Sequence, residues 1–593
     1  MALGDDENCV ILHDAGKHRW LLFRNPLQVY RADTVEAIVT VFRAVEHQVE
    51  YNGLHAAGFI SYEAGPAFDP ALASPSPGGF PFLWFGLYRE PEQVTFPPLP
   101  AEAAATLSWE PSISQEKYQD CFRKIKAYIR AGETYQINYT FRLRGTPFPQ
   151  DPWELFVRMV HAQGFGYGAY VNLEDWAVCS ASPELFFTLA DGVLRSRPMK
   201  GTIPRAQTQA EDLAQADRLA HSQKNRAENV MIVDMVRNDM GRIADGARVA
   251  VPDLFAIEKY PTLWQMTSTV HCSTGASVTD IFGALFPAAS ITGAPKVRAT
   301  HIIAELENTP RRIYTGTVGF FSPGRKAQFN VAIRTVLIDK LNKTAEYGVG
   351  GGIVWDSEEV DELDECHTKA RILTRPTPPF ALLETLLWTP QAGYFLLESH
   401  LERLAASAAY FSRTVDIKAL REQLNLLADT LPAIPHRIRL TLPPEQRPEV
   451  EAHPLVAKPR PYRIRLAQQP VNARDPFLYH KTTHRRVYEK AKSEAPGYDD
   501  VVLWNEKKEV TESCIANIVV EREGRLLTPP ACAGLLPGTY RSLLLKEGLI
   551  IEESLSIEDL HRCARIYLIN SVRGMWEIRL DWPAKGRQEI TPD

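Results

Sequence analysis

A chain of 593 residues is too long for one ordinary core, and at roughly 100 to 200 residues per domain it predicts two to four units. With 45% apolar and 23% charged residues it has the composition of a soluble globular protein, and a net charge of −6 gives no reason to expect nucleic acid as a partner. The eight cysteines are scattered without C-x-x-C pairs, which indicates neither a zinc site nor a disulfide framework and fits a reducing cytoplasm.

The chain opens on "MALGDDENCVILHDAGKHRW", with acids where a signal peptide carries basic residues. No stretch approaches the roughly 18 apolar residues of a membrane span. A proline-rich stretch near 90–105, "EPEQVTFPPLPAEAAA", reads as an internal loop between an N-terminal strand region and a main α+β body. That body mixes helical patterns, such as "EDLAQADRLAHSQKNRAENVMIVDMVRNDM", with strands such as "KAQFNVAIRTVLI" and "TAEYGVGGGIVW". A second proline cluster, "LTRPTPPF", makes the better boundary. After it, "ALLETLLWTPQAGYFLLESHLERLAASAAYF" predicts two short strands joined by a turn and then a helix. No internal repeat or low-complexity tract is visible.

Glu228 falls in a helical stretch, and Glu362, Glu365 and Lys369 share one face of another. Acids on a helix are ordinarily a solvated face, but hard oxygens from two separate helices can hold Mg²⁺ together with water and a ligand's own anionic groups. The glycine run of "YGVGGGIVW" completes neither a dinucleotide nor a P-loop fingerprint, yet glycines let a backbone approach a small ligand closely. Arg334, in an otherwise apolar strand, offers a forked donor to a carboxylate. Lys200, in "SRPMKGTIPR", reads on its own as a solvated cation.

Taken together, "GETYQINYT", "SASPELFF", "RPMKGTIPR", "NRAENVMIVDMVRNDMGR", "WQMTSTVH", "TGAPKVRA", "YTGTVGFF" and the glycine strand with its acidic helix resemble the chorismate-utilising enzymes, particularly component I of the aminodeoxychorismate synthases. The resemblance covers about 114–373 and implies an α+β sandwich of two large sheets enclosing a chorismate site. It implies Glu228 and Glu365 as Mg²⁺ ligands with Glu362 behind them, Tyr314, Arg334, Gly352 and Lys369 as contacts to the substrate carboxylates, Thr202 beside the ring, and His271 near the leaving group. Asn225 stands where anthranilate synthases carry another glutamate, and Leu363 replaces a frequent tyrosine.

By the same resemblance, Lys200 marks the subclass that attacks C2 of chorismate with a lysine amine, and Gln136 stands where water-adding relatives carry a lysine. A lysine suits that attack only when deprotonated, which burial or nearby positive charge favours. Glu184 is the acid/base candidate for the departing C4 hydroxyl. No cysteine lies in a G-x-C-x-G elbow, so ammonia is expected from a separate glutamine amidotransferase subunit.

The segment from about 380 to 593 carries "ESHLERLAASAAYF", "FLYHKTTHRRVYEKA", "VTESCIANIVV" and "LLTPPACAGLLPGTYRSLLL", which resemble the class IV fold of pyridoxal-phosphate enzymes, a two-subdomain α/β fold. The resemblance implies Lys481 as the lysine bonded to pyridoxal 5'-phosphate, Glu512 at the pyridine nitrogen and Arg403 at the phosphate. The backbone at Gly538, Thr539 and Tyr540 would cradle that phosphate at a helix start. Tyr540 stands where the family often has threonine, with Thr539 or Ser571 as substitutes. Class IV relatives are often dimers, which makes a homodimer the expected assembly.

The expectation is therefore a cytoplasmic enzyme with a synthase unit over 1–373, a linker over 374–379 and a lyase unit over 380–593. Chorismate would be aminated to 4-amino-4-deoxychorismate and then split to 4-aminobenzoate and pyruvate, without nucleic acid or membrane. An anthranilate synthase-like front with an aminotransferase tail, or a synthase with a cofactor-free docking or dimerisation tail, are the competing readings.

Overall fold

The computed structural model describes residues 3–99, 108–148, 150–164, 166–373, 379–444, 446–456 and 462–582; positions 374–378 of the expected linker lie outside them. The chain divides into two compact units, Met1–Arg205 with Gln215–Thr377, and Ala206–Ala214 with Pro378–Asp593.

The first unit is built on two ten-stranded sheets, all of whose pairings are antiparallel. Alternating residues of both sheets, among them Val10, Leu12, Phe59, Val171, Val318 and Leu337, form one buried cluster, so the sheets pack face to face. Helices Gln115–Arg130, Pro152–Gln163 and Lys296–Leu306 cover one sheet, and Val35–Asn52, Gln223–Gly241 and Val278–Leu285 cover the other. The result is the α+β two-sheet sandwich expected.

Two segments read as continuous are broken in the fold. The helical pattern over 211–240 is two helices, Gln209–His221 and Gln223–Gly241, separated at Ser222. The Ser222 hydroxyl accepts from the Asn225 N–H, an N-cap worth about 1 kcal/mol that periodicity alone does not reveal. Likewise "KAQFNVAIRTVLI" is two strands, Lys326–Asn330 and Thr335–Asp339, which belong to different sheets. Both halves are apolar because both are buried, so the hydrophobic pattern runs through the corner unbroken.

The second unit holds a four-stranded antiparallel sheet packed against helices Leu397–Tyr410 and Ile417–Ala428, and an eight-stranded mixed sheet. In the mixed sheet Arg463–Leu466 runs parallel to both its neighbours, Asp500–Trp504 and Gly574–Asp581. The strand–turn–strand–helix expected after the boundary is present as Leu382–Thr389, Gly393–Tyr394 and Leu397–Tyr410. No helix among the described residues is long and apolar enough to cross a membrane.

Candidate active sites

The first site lies where the chain passes from one sheet of the sandwich to the other, twice, side by side. Strand Trp176–Ser182 of one sheet continues through Pro183 and Glu184 into Leu185–Ala190 of the other, and Lys326–Asn330 returns through Arg334 to Thr335–Asp339. The crossings are bonded to each other: Val331 N donates to Glu184 O at 3.1 Å, Ala181 N to Arg334 O at 3.0 Å and Ser182 Oγ to Val331 O at 2.6 Å. Arg334 holds a left-handed φ of 52°, a strained conformation for a non-glycine residue and one that clusters at functional sites. Its Nη1 donates to Lys369 O at 2.7 Å, where Tyr347 Oη also donates, tying the acidic helix Glu359–Ala370 to the corner.

The glycine strand Thr344–Ile353 forms the floor. Gly348 lies under the Tyr314 ring, 2.2 Å from where a Cβ would sit, and a Cβ on Gly351 would stand 2.8 Å from the Glu362 carboxylate. A Cβ on Gly352 would meet Gln136 Nε2 at 2.7 Å and Lys200 Nζ at 2.8 Å. Lys200 comes from strand Met199–Pro204 of the opposite sheet, so its amine reaches across the sandwich. Neither amide atom of Gln136 has a hydrogen-bond partner among the described residues, although both are buried. A buried amide left unpaired costs about 1–3 kcal/mol per group and marks a place made for a polar ligand.

Charge is arranged around that floor. Burial holds the Lys200 amine below the ordinary lysine value, with Glu228 pulling the other way and Lys369 adding to the depression. Burial pushes the Glu184 carboxyl up to about 7, despite hydrogen bonds from the Ser290 side chain and the Met199 backbone. It also raises Glu228 and Glu362, each opposed by neighbouring lysines, and Glu362 is further held by Ser357 Oγ at 2.6 Å. Burial works against ionisation of Glu365 as well, but Lys369, 2.7 Å away, outweighs it and brings that carboxyl below its usual range. Lys369 also donates to Gly350 O at 2.8 Å, and Tyr314 lies within its electrostatic reach and under the Arg142 guanidinium. Among the described residues no group of three or more His, Cys, Asp or Glu is gathered as a metal site. Glu228 and Glu365 supply two hard oxygen donors, which suits a Mg²⁺ whose remaining positions are filled by water and substrate.

Lys200, Glu184, Glu228, Glu362, Glu365, Tyr314, Arg334, Gly352 and Lys369 are thus connected by contacts or by electrostatic influence. Two residues singled out in the sequence behave differently. The Thr202 hydroxyl is donated to Gln265 Oε1 at 2.9 Å. His271 pairs in register with Arg195 and Ala250, six positions and about 20 Å along strand Leu263–Ser273 from Gln265. The residue of that strand next to the Lys200 bulge is Gln265.

The second site is built where strand Leu382–Thr389, helix Leu397–Tyr410 and helix Thr539–Lys546 converge. Leu383 N donates to Lys481 O at 2.9 Å, fixing the lysine's backbone against the four-stranded sheet. Burial, aided by Arg403, lowers the Lys481 amine to about 8. Arg403 binds Glu384 through Nε at 2.9 Å and Nη2 at 2.7 Å, while its Nη1 donates to Pro537 O at 3.1 Å. Burial disfavours the Glu384 carboxylate, yet Arg403 and His400 together hold it down at about 2. His400 Nδ1 meets Glu384 at 2.7 Å and its Nε2 meets Thr539 Oγ1 at 3.2 Å, so Arg403 and His400 both lead from one carboxylate to the start of helix Thr539–Lys546. Tyr540 packs its ring on Phe395, and Ser571 is buried. Glu512 accepts from Tyr488 Oη at 2.8 Å and Asn517 Nδ2 at 3.1 Å, and burial nonetheless raises it to about 7.

Residues 7–375 match the family described as chorismate binding enzyme. The chain belongs to that family. In this chorismate binding enzyme, residues 381–580 match a second family, amino-transferase class IV. The aminodeoxychorismate synthase component 1 of Klebsiella aerogenes is 40% identical over 284 residues, 46% of this chain and 61% of that protein. The protein of the same name from Escherichia coli (strain K12) is 39% identical over 271 residues, 45% of this chain and 59% of its own. The chain therefore spans about three fifths of the length of these curated relatives. Anthranilate synthase component I from Streptococcus pneumoniae TIGR4 shares the fold, with a TM-score of 0.53 at 23% identity over 60% of this chain and 92% of that one.

Several residues that the chorismate binding enzyme brings to its sites escaped sequence reasoning. Gln265 and Asn229 lie inside quoted strings but carry no distinctive chemistry, and Ser290 falls outside them. Glu384 and His400 had a signal: Glu384 is the one ionisable residue of its strand, and His400 falls on the helix face of Leu401, Leu404 and Ala408 rather than on that of Glu398 and Glu402.

Proposed function

We propose that the chain makes 4-aminobenzoate in two steps, aminating chorismate in the first unit and eliminating pyruvate in the second. The observation that carries the first step is a desolvated lysine amine at a glycine floor, with a carboxyl of raised pKa on the adjoining crossing. The 40% identical relative named for this synthase adds support.

The Lys200 amine, kept short of full protonation by burial, attacks C2 of chorismate. Both ring double bonds shift, from C1–C2 to C1–C6 and from C5–C6 to C4–C5, and the C4 hydroxyl departs as water, taking the proton that Glu184 holds near neutrality. Ammonia then adds at C4 and the C2–N bond to Lys200 breaks, returning the amine. Arg334, Lys369 and Tyr314 would hold the substrate carboxylates, and Glu228 and Glu365 would hold a Mg²⁺, whose positive charge would offset the negative charge that the leaving oxygen develops. Gln136, with no acidic or basic proton to exchange, leaves water unactivated at its position. Ammonia would come from a separate glutamine amidotransferase. Burial raises the thiols of Cys9, Cys179, Cys272, Cys366, Cys514 and Cys563, which suits packing rather than nucleophilic chemistry.

In the second unit the donor set fits pyridoxal phosphate: a desolvated Lys481, a carboxyl at Glu512 whose pKa burial raises against the pull of Lys481 and Arg485, and Arg403 beside a helix start. When bound, that group supplies an electron sink for the carbon bearing the amine. Lys481 takes the proton from C4, and the enolpyruvyl group leaves as pyruvate as the ring becomes aromatic. Glu512 would keep a proton at the ring nitrogen, and Arg403 with the backbone at 538–540 would hold the phosphate. A homodimer in the cytoplasm completes this reading.

Chorismate, ammonium, Mg²⁺ and pyridoxal phosphate given to the purified protein should yield 4-aminobenzoate and pyruvate in equal amounts. The Lys481→Ala variant should stop at 4-amino-4-deoxychorismate. Formation of 2-aminobenzoate in place of the 4-isomer would overturn the proposal.

A further inference from the structure

The strand that carries Lys200 is irregular at that residue. Met199 pairs with Thr267 and Thr202 with Gln265, so three steps on one strand oppose two on the other, and Lys200 and Gly201 form a bulge. Gly201 has φ +95°, and a Cβ there would lie 3.0 Å from Asn225 Cβ of helix Gln223–Gly241. Only glycine satisfies both conditions. A bulge takes its carbonyls out of the ladder, and buried carbonyls need other donors.

Two side-chain amides supply them. Gln265 Nε2 donates to Gly201 O at 2.9 Å, and Asn229 Nδ2 to Lys200 O at 3.4 Å. Each amide is itself oriented by a hydroxyl: Thr202 Oγ1 donates to Gln265 Oε1 at 2.9 Å, and Ser268 Oγ to Asn229 Oδ1 at 2.6 Å. A carbonyl only accepts, so the NH₂ of each amide must face the bulge and its oxygen must face the hydroxyl. All four side chains are at least half-buried.

We infer that Gln265 and Asn229 are positioning residues that clamp the two carbonyls of the bulge and thereby fix where the Lys200 amine lies. The inference rests on Lys200 acting as the nucleophile. Asn229 follows Glu228 directly, so one helix sets both the lysine's backbone and the carboxylate nearest it in charge. The Gln265 arm is the shorter bond and the stronger constraint.

The test uses the full chain with chorismate, Mg²⁺ and ammonium, and the uncharged near-isosteres Gln265→Met and Asn229→Leu. Two quantities are read: kcat against KM for chorismate consumption, and the rate at which acetic anhydride labels Lys200 in the substrate-free protein, normalised to exposed Lys418. A displaced nucleophile should lower kcat about 10- to 100-fold in Gln265→Met and about 3- to 10-fold in Asn229→Leu, with KM within about threefold. Lys200 labelling should change severalfold in both.

Unchanged kcat with unchanged labelling in both variants overturns the clamp. So does a loss confined to KM, which would make these residues substrate contacts. If either variant does not fold, Ser268→Ala, which frees the Asn229 amide to rotate and otherwise removes one hydrogen bond, from Phe255 N, decides on the same two readouts. Should Lys200→Ala retain full turnover while labelling is still altered in the clamp variants, the nucleophile reading falls and the placement of the amine stands.

Discussion

The Lys200 amine lies over Gly352 of the opposite sheet, so close that a Cβ on that glycine would stand 2.8 Å from Nζ and 2.7 Å from Gln136 Nε2. The Gly352 backbone is not left-handed, so the strand itself accepts alanine, and both neighbours are ends of flexible side chains. Gly352→Ala should therefore fold with nearly the wild-type Tm while moving the two polar ends that face the substrate. A displacement of about 1 Å at a reacting group costs on the order of 100-fold, and that is the expected loss in kcat for chorismate amination. Full activity in this variant would place the chemistry elsewhere.

Glu184 predicts the alkaline limb of the first reaction. Its carboxyl is raised to about 7 by burial and must carry a proton to release the C4 hydroxyl as water. Adduct formation without ammonia, followed by intact mass, should fall about tenfold for each pH step of one once the pH is above both this value and the lowered pKa of the Lys200 amine, which must itself be free of its proton to attack. Glu184→Gln should be slow at every pH and lack this limb. The same shift has a stability consequence: the folded protein holds the proton more tightly than the unfolded chain, so this contribution is complete below about 4.5 and disappears as pH rises through about 7.

The acidic helix and the glycine strand were legible in the sequence because their signals are local: the three-residue spacing of Glu362 and Glu365, and glycines that no packing argument demands. The corner was not. Pro183-Glu184 and Val331–Arg334 each interrupt an apolar run that is buried on both sides of the break, so neither period nor polarity changes where the chain leaves one sheet for the other. The cross-bonds from Val331 N to Glu184 O, from Ala181 N to Arg334 O and from Ser182 Oγ to Val331 O show that two distant segments turn together. His271 is a different case: the family resemblance singled it out, strand geometry sets it six positions from Gln265, and that uncharged glutamine is the residue of the strand beside the bulge.

Glu384 should make the second unit sensitive to acid. Its carboxylate is 1% exposed and shared by Arg403 and His400, which depress it from 4.5 to about 2. A depressed folded pKa gives stability that is present above about 4.5 and lost as pH falls toward about 2, amounting to about 3 kcal/mol. His400 acts in the same direction, because burial lowers its pKa and protonation then favours the unfolded chain. Glu384→Gln should lower the unfolding free energy of this unit by about 2–3 kcal/mol at pH 7, with the difference from wild type closing at the acid end. Denaturant titrations at pH 7 and pH 3 check this, and an equal gap at both would refute the assignment.

Glu512 predicts that pyridoxal phosphate stabilises the protein more at high pH than at low. Burial raises this carboxyl from 4.5 to about 7, a shift that its hydrogen bonds and the charges of Lys481 and Arg485 only partly offset. The cofactor-free protein therefore loses up to about 3 kcal/mol as pH rises through that window, because the unfolded chain ionises first and the folded site is left with a buried charge. A protonated pyridine nitrogen facing the carboxylate would pair that charge and remove the penalty. The rise in Tm on adding pyridoxal phosphate should be several degrees larger at pH 8 than at pH 5, as read by calorimetry. Glu512→Gln, which carries no charge to relieve, should show the same small rise at both, and Lys481→Ala should keep the pH dependence while losing cofactor fixed by borohydride. A rise independent of pH in the wild-type protein would mean that Glu512 does not face the cofactor's ring nitrogen.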